Sequence, residues 1–317
     1  MIDDRTLQLQ LAHTLRETHF DIGTRYQGKV RDTYAHRNEL LMITTDRISA
    51  FDRVLGTIPF KGQVLSQITA FWFEAMREVA PSHMLAIPDP NVLVTRRCNA
   101  IPVEVVMRGY LTGSLWREYS SGAPDVYEIS LPKGMAQNQA FEHPLLTPAK
   151  KMPVGEHDEP ISSRQVVAQG IVDAATWAKI SAYAMALFTT GSALALQRGL
   201  ILVDTKYEFG VADGELLVID EIHTPDSSRF WLLEGHEERM KRGDPPRMLD
   251  KENVRQWLLD RGFSGEGAPP ALPDELRIGI ARIYVDLYER MTGKLFVPAT
   301  GEPIERVEAA LRLGGWL

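Results

Sequence analysis

The chain has 317 residues, of which 44% are hydrophobic and 24% charged, as in globular proteins with a sizeable core. Its net charge of −7 argues against a general nucleic-acid-binding protein, which would need a basic face. Cys98 is the only cysteine, so an internal disulfide and a cysteine-based zinc site are excluded. The start MIDDRTLQLQ is unlike a signal peptide, and the most apolar stretch, 182–196, is too short to span a bilayer. We therefore expect a cytoplasmic protein with no membrane segment.

Short strands and helices alternate along the N-terminal half. Apolar side chains recur at helical spacing over 64–79, and Pro81 closes that helix. Runs rich in β-branched residues predict strands. The predicted elements in chain order are a helix at 5–18, strands at 26–34 and 40–45, the helix at 64–79, and strands at 92–95 and 103–107.

The second half begins with a stretch, 118–160, that is rich in Gly, Pro and Ser and has no sustained period. Such composition is typical of functional loops or a lid and not of core strands. A helix is predicted over 163–198. Ala212-Asp213-Gly214 between two alternating runs predicts a β-hairpin within 200–222. Three further helices are expected to begin at Asp250, Asp274 and Pro303.

This order of elements predicts an α+β fold with antiparallel sheets, in preference to a parallel doubly wound sheet. Neither GxGxxG nor GxxxxGK[ST] occurs in the sequence, so Rossmann and P-loop nucleotide sites are not supported. Any nucleotide site must be built from other motifs.

The hairpin carries the densest set of charged residues. Asp204, Lys206 and Glu208 alternate along the first strand and therefore share one face. The returning strand brings Asp220 and Glu221 beside them. Carboxylates on adjacent strands suit Mg²⁺, which takes a few carboxylates together with substrate phosphates. The alternative is an exposed hairpin whose polar face is solvated.

Two other segments combine glycine with cations beside a strand. Gly28, Lys29 and Arg31 lie at the start of the first strand pair, where a glycine lets the backbone approach a ligand closely. An exposed basic strand is the alternative. The segment Arg108-Gly-Tyr-Leu-Thr-Gly-Ser114 offers a bidentate cation with backbone and hydroxyl donors, which is phosphate-binding chemistry. Its alternative is a glycine-containing surface turn.

Two polar loops follow predicted strands. Asp226, Ser228 and Arg229 come directly after the hairpin, where ligand loops are commonly placed. Asp46 follows the second predicted strand within a polar stretch that could face a site, although Asp and Ser are also ordinary turn residues.

Several ordered strings together resemble the phosphoribosylaminoimidazole-succinocarboxamide (SAICAR) synthase family, in its longer, single-function form from yeasts and many bacteria. The strings include GKVRDTY, TTDRISAFD, VEVVMRGYLTGSLWREY, LVDTKYEFG and VIDEIHTPDSSRFW. They occur in the family's order between about residues 20 and 260. Any one of them is a weak signal, but their combination and order make chance agreement implausible.

The resemblance implies a fold related to the ATP-grasp enzymes, with ATP and Mg²⁺ bound between lobes. It implies a nucleotide-covering lobe at 1–114, a central lobe with the metal hairpin at 115–250 and a helical segment at 251–317. The implied reaction joins carboxyaminoimidazole ribonucleotide to L-aspartate and gives SAICAR, ADP and phosphate. By matching motif, the catalytic cations are Lys29 and Lys206, ATP is contacted by Gly28, Lys29, Arg31 and Glu208, and Mg²⁺ is held by Glu208 and Asp220. The ribonucleotide phosphate is bound by Arg108, Ser114 and Arg229. The substrate cleft also contains Asp46, Asp226 and Ser228.

The implied chemistry proceeds through an acyl phosphate, and the opposite order, amine attack before phosphorylation, stays open. The nearest alternative is a small-molecule kinase on a related fold, which would not need aspartate. A non-catalytic nucleotide-binding protein is a third reading. It is disfavoured because a pure binder has no need of Lys29, Lys206, Glu208 and Asp220 together. The oligomeric state and the residues that bind aspartate are not predicted.

Overall fold

Two antiparallel sheets, each with helices packed against it, carry the fold. The structure, a computed structural model, describes residues 2–122, 125–153, 157–249 and 251–317. The strands are β1 (Thr24–Gln27), β2 (Arg31–His36), β3 (Glu39–Thr44), β4 (Arg47–Ala50), β5 (Arg53–Thr57), β6 (Met84–Asp89), β7 (Val92–Arg96), β8 (Asn99–Ala100), β9 (Val103–Tyr110), β10 (Ala140–Lys150), β11 (Glu159–Pro160), β12 (Leu200–Ala212), β13 (Glu215–Ile219) and β14 (Ser228–Leu232). The helices are α1 (Asp4–Gln10), α2 (Lys61–Ala75), α3 (Gly113–Ser121), α4 (Ser163–Ala168), α5 (Ala174–Gln197), α6 (His236–Arg242), α7 (Glu252–Leu259), α8 (Asp274–Thr292) and α9 (Pro303–Leu313).

The first sheet has the strand order β1-β2-β3-β7-β6, and β4 pairs with β5 in a separate ribbon. The second sheet has the order β11-β10-β9-β12-β13, with β14 and β8 also paired to β12. All of these strand pairs are antiparallel. The predicted α+β class with antiparallel sheets is confirmed.

β12 is the strand around which the second sheet is organised. Its first half lies between β9 and β14, and its second half pairs with β13 and β8. The charged residues predicted on this strand therefore lie at the centre of a sheet. Because β9 belongs to the same sheet, the predicted lobe boundary at residue 114 falls inside the second sheet and not between the two sheets.

The predicted strand over 26–34 is wrong in one respect, because the chain folds back on itself within it. β1 ends at Gln27, β2 begins at Arg31, and the amide of Gly28 donates to the carbonyl oxygen of Arg31 across the turn, with 2.8 Å between N and O. Gly28 and Lys29 therefore lie in a hairpin turn, and Lys29 does not share a strand face with Arg31.

The predicted lid at 118–160 is also partly wrong. Residues 140–150 form the long strand β10, which pairs with β9 from Leu145 to Lys150. Prolines at 144 and 148 made this segment resemble a loop. Proline is accepted toward the edge of a sheet, and β10 is followed on its outer side only by the two-residue β11.

The C-terminal helices are integral to the packing. α8 packs against α2 and α1, and α9 packs against β6. The core cluster of the second sheet includes buried side chains of α8, whereas Val307 and Leu311 of α9 are buried against strands of the first sheet. The predicted starts of α8 and α9 are confirmed, whereas the predicted cap at Asp250 lies outside the described residues. Among the described helices, none combines the length and the apolar character that a membrane span requires.

Candidate active site

The β12–β13 hairpin turns through Asp213 and Gly214, whose φ angles are 51° and 77°. Positive φ at both central residues is the geometry of the two-residue hairpin turn that Asp-Gly favours. The resulting register pairs Glu208 with Ile219 and places Asp220 one residue beyond β13. Lys206 and Glu208 share a face as predicted, with 2.6 Å between Nζ of Lys206 and Oε1 of Glu208.

Lys206 and Glu208 each contact a second charged residue that the sequence did not indicate. Nζ of Lys206 donates to Oε1 of Glu104 on β9 at 2.7 Å. Nζ of Lys151, just past β10, donates to Oε2 of Glu208 at 2.5 Å. Burial disfavours the charged form of Lys206, but Glu208, Glu104 and Asp220 outweigh it and raise the lysine pKa. Lys206 therefore remains an ammonium group and serves as a fixed cation, not as a base.

Arg31, predicted to contact ATP, pairs with two carboxylates at the end of β13. Its side chain is buried, and its two terminal nitrogens donate to Asp220 and to Glu221. Burial opposes the charge, but the carboxylates Asp220 and Glu221 overcome it and raise the pKa of Arg31. We conclude that Arg31 holds the end of β13 against the first sheet. The predicted contact of Arg31 with ATP stays a prediction.

These residues form a network in which every carboxylate pairs with a cation. It is called below the matched charge network. Burial would raise the pKa of Glu208, but Lys206 and Lys151 lower it to about 2. Its carboxylate is thus ionised at any physiological pH. The members of the network are Arg31, Glu104, Lys151, Lys206, Glu208, Asp220 and Glu221.

The chemistry of this network fits a magnesium ion bound together with nucleotide phosphates. Mg²⁺ prefers a small number of carboxylate oxygens and keeps water or phosphate oxygens for its remaining positions. Glu208 on β12 and Asp220, one residue beyond β13, carry such oxygens. Within the described parts of the chain, no group of three or more His, Cys, Asp or Glu side chains that could hold a metal ion is present.

Six of the predicted site residues meet in one cavity of about 360 Å³, called here the inner cavity. Arg108 extends across its wall, donating from Nε to Thr147 Oγ1 at 2.8 Å and from Nη2 to Ser114 Oγ at 3.2 Å. The sequence placed Thr147 in the predicted lid and missed this support. The inner cavity is lined by Val106, Arg108, Ser114, Asp204, Thr205, Lys206, Asp226, Ser227, Ser228, Arg229, Lys251, Glu252 and Arg255.

Arg229 shows why Gly113 begins α3. A Cβ atom on Gly113 would lie 2.6 Å from both terminal nitrogens of Arg229, and the φ of Gly113 is +61°, which other residues rarely adopt. Glycine therefore lets the guanidinium lie flat against the backbone. Asp204 receives a hydrogen bond from Nη1 of Arg229 at 2.5 Å and lies 3.6 Å from Nη1 of Arg108. One carboxylate thus orients two arginines at the cavity.

A second cavity of about 640 Å³, called the outer cavity, adjoins the first. Lys29 reaches it from the β1–β2 turn and pairs with Asp52. The two cavities share Ser114, Arg229, Lys251, Glu252 and Arg255. The outer cavity is lined by Lys29, Ser49, Ala50, Phe51, Asp52, Ser114, Arg117, Arg229, Lys251, Glu252, Arg255 and Leu259.

The start of α7 is the part of the site that sequence reasoning missed. Lys251, Glu252 and Arg255 lie along both cavities, and the guanidinium of Arg255 lies 5.8 Å from the ring centroid of Phe51. The ammonium group of Lys251 makes no ion pair or hydrogen bond with another described residue, and burial lowers its pKa. The spacing of Lys251, Glu252 and Arg255 in the string KENVR indicates one polar helix face. A surface helix that binds no ligand shows the same pattern, so the spacing alone does not identify a site.

Asp46 does not line either cavity. It is buried, and its oxygens accept from the backbone amides of Leu15 at 2.7 Å and Gly62 at 2.8 Å. Burial raises the pKa of Asp46 to about 6 against the opposing effect of these amides. These contacts tie the loop before β4 to the start of α2, and the predicted place of Asp46 in the substrate cleft stays a prediction.

A larger cavity of about 780 Å³ lies further along the second sheet, between Tyr110, the segment 136–140 and α6. Its walls carry one lysine, Lys241, beside the acids Glu237 and Asp244. Phosphates need converging cations. The inner and outer cavities are therefore the better candidate for an anionic substrate.

Comparison with known proteins agrees with this geometry. The family model described as SAICAR synthetase matches residues 24–270. The chain belongs to the SAICAR synthetase family. A phosphoribosylaminoimidazole-succinocarboxamide synthase of Legionella pneumophila (strain Lens) is 46% identical over 290 residues, which cover 89% of this chain and 92% of the relative. The protein of the same name from Bacteroides fragilis (strain YCH46) is 46% identical over 288 residues, with the same coverage of 89% and 92%.

Solved structures of the family share the fold. The SAICAR synthase of Saccharomyces cerevisiae complexed with SAICAR superposes with a TM-score of 0.78 at 29% identity, covering 89% of this chain and 99% of that one. The predicted family, fold and ligase class are confirmed, and the small-molecule kinase is not favoured. α8 and α9 lie beyond the residues that the family model matches.

Proposed function

We propose that the two cavities bind an aminoimidazole carboxylate ribonucleotide and L-aspartate, and that the matched charge network binds the phosphates of ATP, for the ligation that gives SAICAR, ADP and phosphate. The observation that carries this proposal is the convergence of Arg108, Arg229, Lys251 and Arg255 beside Lys206. Dianionic phosphate and two kinds of carboxylate have to be held close together in this reaction, and only a surplus of cations allows that.

The ribonucleotide phosphate is assigned to Arg108, Ser114 and Arg229. Arginine pairs with phosphate through two parallel N–H donors, which fixes orientation as well as adding affinity. Asp204 holds both guanidinium groups in place before the ligand arrives. Ser228, whose Oγ lies 2.7 Å from Oγ1 of Thr205, adds a hydroxyl to the same wall.

The reaction begins with a poor electrophile, because a carboxylate can be attacked only if an oxide leaves. An oxygen of the imidazole carboxylate attacks the γ-phosphorus of ATP, the bond to the β-phosphate oxygen breaks, and ADP leaves. The product of this step is an acyl phosphate. Phosphoryl transfer needs alignment and charge neutralisation more than a protein nucleophile. Lys206, held as an ammonium group by Glu104 and Glu208, supplies a positioned charge at this point.

Aspartate then attacks the activated carbonyl carbon through its amine. The carbon–oxygen bond to phosphate breaks, so inorganic phosphate carries away one oxygen of the original carboxylate, and the amide remains. The outer cavity opens beside Lys29, Arg117 and Arg255, whose charges suit the carboxylates of this second substrate. The carboxylates of Asp52 and Glu252 in the same wall suit the ammonium group of L-aspartate, before that group loses a proton and becomes the attacking amine.

Glu208 and Asp220 would hold Mg²⁺ through their carboxylates, and the ion would supply charge neutralisation for the ATP phosphates. Before ATP binds, Lys151, Lys206 and Arg31 balance these two acids. We expect Lys29, at the β1–β2 turn, to lie over the nucleotide phosphates. Gly28 keeps that turn tight through its bond to Arg31.

The test is an assay of ADP, phosphate and coupled product with Mg-ATP and carboxyaminoimidazole ribonucleotide, with and without L-aspartate. We expect phosphate release to require both partners and to equal product formation. ADP formation without aspartate, together with a stable phosphorylated ribonucleotide, would establish a kinase instead. No turnover in a folded sample that binds ATP would reject the catalytic proposal.

A further inference from the structure

The loop between β13 and β14 carries Asp226, whose carboxylate is fixed from outside the active site. Its Oδ2 accepts a hydrogen bond from Nζ of Lys61 on α2 at 2.7 Å. Its Oδ1 accepts one from the hydroxyl of Tyr284 on α8, also at 2.7 Å. Asp226 lines the inner cavity, but both of its oxygens are already engaged by neighbouring helices.

This contact is deeply buried on all three sides. Lys61 and Tyr284 have no exposed surface, and the side chain of Asp226 is 6% exposed. Burial raises the pKa of Asp226, but the charges of Lys61 and Lys251 and the hydrogen bond from Tyr284 outweigh it and lower the value to about 2. The ionised carboxylate is thus stabilised by its partners and would be costly to leave with one donor fewer.

The loop held by this contact positions residues of the inner cavity. The carbonyl oxygen of Ser227 accepts from the amide of Lys206 at 3.0 Å. Ser228 follows, with its Oγ 2.7 Å from Oγ1 of Thr205, and Arg229 comes next. A shift of Asp226 would therefore move the neighbours that fix Lys206 and the arginine assigned to the phosphate.

We propose that Tyr284 is a positioning residue for the active-site loop, and that α8 braces the substrate pocket through its bond to Asp226. The effect on substrate binding rests on the proposed function, whereas the brace itself does not. Tyr284 lies at a helix position beyond the matched family region, so the brace assigns a role to the C-terminal segment. Asp226 consequently fixes the position of the loop through these two contacts.

The simplest competing account is that α8 only contributes apolar packing. Phenylalanine at position 284 keeps the ring and its packing but removes the hydroxyl donor. Tyr288→Phe is the matched control, since it deletes a hydroxyl one turn further along the same helix. The ring of Tyr288 is also buried, and it contacts Phe296 with 5.4 Å between centroids.

The first measurement is amide hydrogen exchange of a peptide covering 223–232 in the intact protein without ligands. We expect exchange of this peptide to become about 10-fold faster in Tyr284→Phe, since local opening is easier once a donor to the buried carboxylate is lost. In Tyr288→Phe it stays as in the unchanged protein. Equal exchange in all three proteins overturns the brace, and so does an equal acceleration in both variants.

The second measurement is steady-state kinetics with the ribonucleotide varied. We expect Tyr284→Phe to raise its KM by about 10-fold with a smaller change in kcat, in the range for one lost hydrogen bond to a charged group. KM values equal to those of Tyr288→Phe overturn the positioning role even if the loop exchanges faster. An unchanged protein that makes no product rejects the proposed function alone, and the exchange experiment still decides the brace.

Discussion

The matched charge network and the neighbouring cavities share Lys206 but differ in charge balance. In the network, the cations Arg31, Lys151 and Lys206 meet four carboxylates. Along the two cavities, six cations other than Lys206 meet four carboxylates. The cations are Lys29, Arg108, Arg117, Arg229, Lys251 and Arg255, and the acids are Asp52, Asp204, Asp226 and Glu252.

This difference separates two tasks that charged residues perform in one site. A buried charge without a partner is costly, so matched pairs preserve a fixed geometry until a ligand arrives. Surplus cations are tolerated at an open cavity because water solvates them, and they gain most when an anion replaces that water. We propose on this basis that the network positions groups for phosphoryl transfer and that the cavities collect anionic substrates.

Breaking the matched network should produce the largest effect. Glu208→Gln removes the acid that Lys206 and Lys151 share. We expect kcat to fall by about 10²–10³, the usual loss for one preorganised electrostatic contact. Circular dichroism should show an intact fold. The matched control is Glu215→Gln on the same hairpin, where the acid is half exposed and pairs with Arg96. Normal turnover by Glu208→Gln would show that the network has no part in the chemistry.

Removing a cation from the cavities should act on substrate binding and not on the chemical step. Arg229→Gln takes away a bidentate donor, and we expect the KM for the ribonucleotide to rise about 10–100-fold, the range for a hydrogen bond to a charged group. The exposed Arg242 provides the control in Arg242→Gln. A fall in kcat at unchanged KM would contradict the separation of tasks.

Lys251 sharpens the comparison between the network and the cavities because no ion pair with another described residue balances its charge. Burial lowers its pKa, which means that folding destabilises the charged ammonium group. We expect Lys251→Met to raise the KM for the ribonucleotide about 10-fold, while the thermal midpoint stays equal or rises. Lys241→Met, at an exposed position on α6, should change neither quantity. A lower midpoint would show that Lys251 is structural.

His223 lines neither cavity and has the smallest predicted effect on catalysis. Its ring is buried against Trp72, and its Nε2 lies 2.5 Å from the hydroxyl oxygen of Tyr207. Burial lowers the pKa of His223 to about 3 from 6.5. The folded ring is therefore neutral, while the unfolded chain takes up a proton below pH 6.5. The contribution of the neutral ring to the free energy of unfolding is fully present above pH 6.5. As the pH drops from 6.5 toward 3, this contribution falls by up to about 1.4 kcal/mol per pH unit.

NMR titration of the folded protein tests this point directly. The ring resonances of His223 should not titrate between pH 8 and 5. Urea unfolding at pH 7 and at pH 5 should give a lower free energy of unfolding at pH 5. A His223 resonance that titrates near pH 6.5 in the folded state would contradict the buried neutral ring.

The sequence alone predicted the face of β12 because strand alternation and the Asp-Gly turn are local properties. Local composition indicated phosphate-binding chemistry for Arg108 and Ser114, with a surface turn as the alternative. The family resemblance added Arg229, and the structure brings these three residues together. Their roles with substrate stay predictions.

Long-range pairing was beyond the reach of such patterns. Nothing local distinguishes Arg31, which anchors Asp220 across the two sheets, from a solvent-facing cation. Glu104 and Lys151 reach Lys206 and Glu208 only because β9 and β10 lie beside β12. These contacts depend on strand order, which residue spacing does not encode.

The central claim is that ATP phosphorylates an oxygen of the imidazole carboxylate and that this oxygen leaves with inorganic phosphate when the amide to aspartate is formed. The most direct test uses ribonucleotide labelled with ¹⁸O in that carboxylate, followed by mass analysis of the inorganic phosphate released. The proposed reaction predicts one labelled oxygen in each phosphate, formed in equal amount with the amide product. Unlabelled phosphate alongside product would contradict the claim, because ATP would then have been cleaved without any bond to the carboxylate.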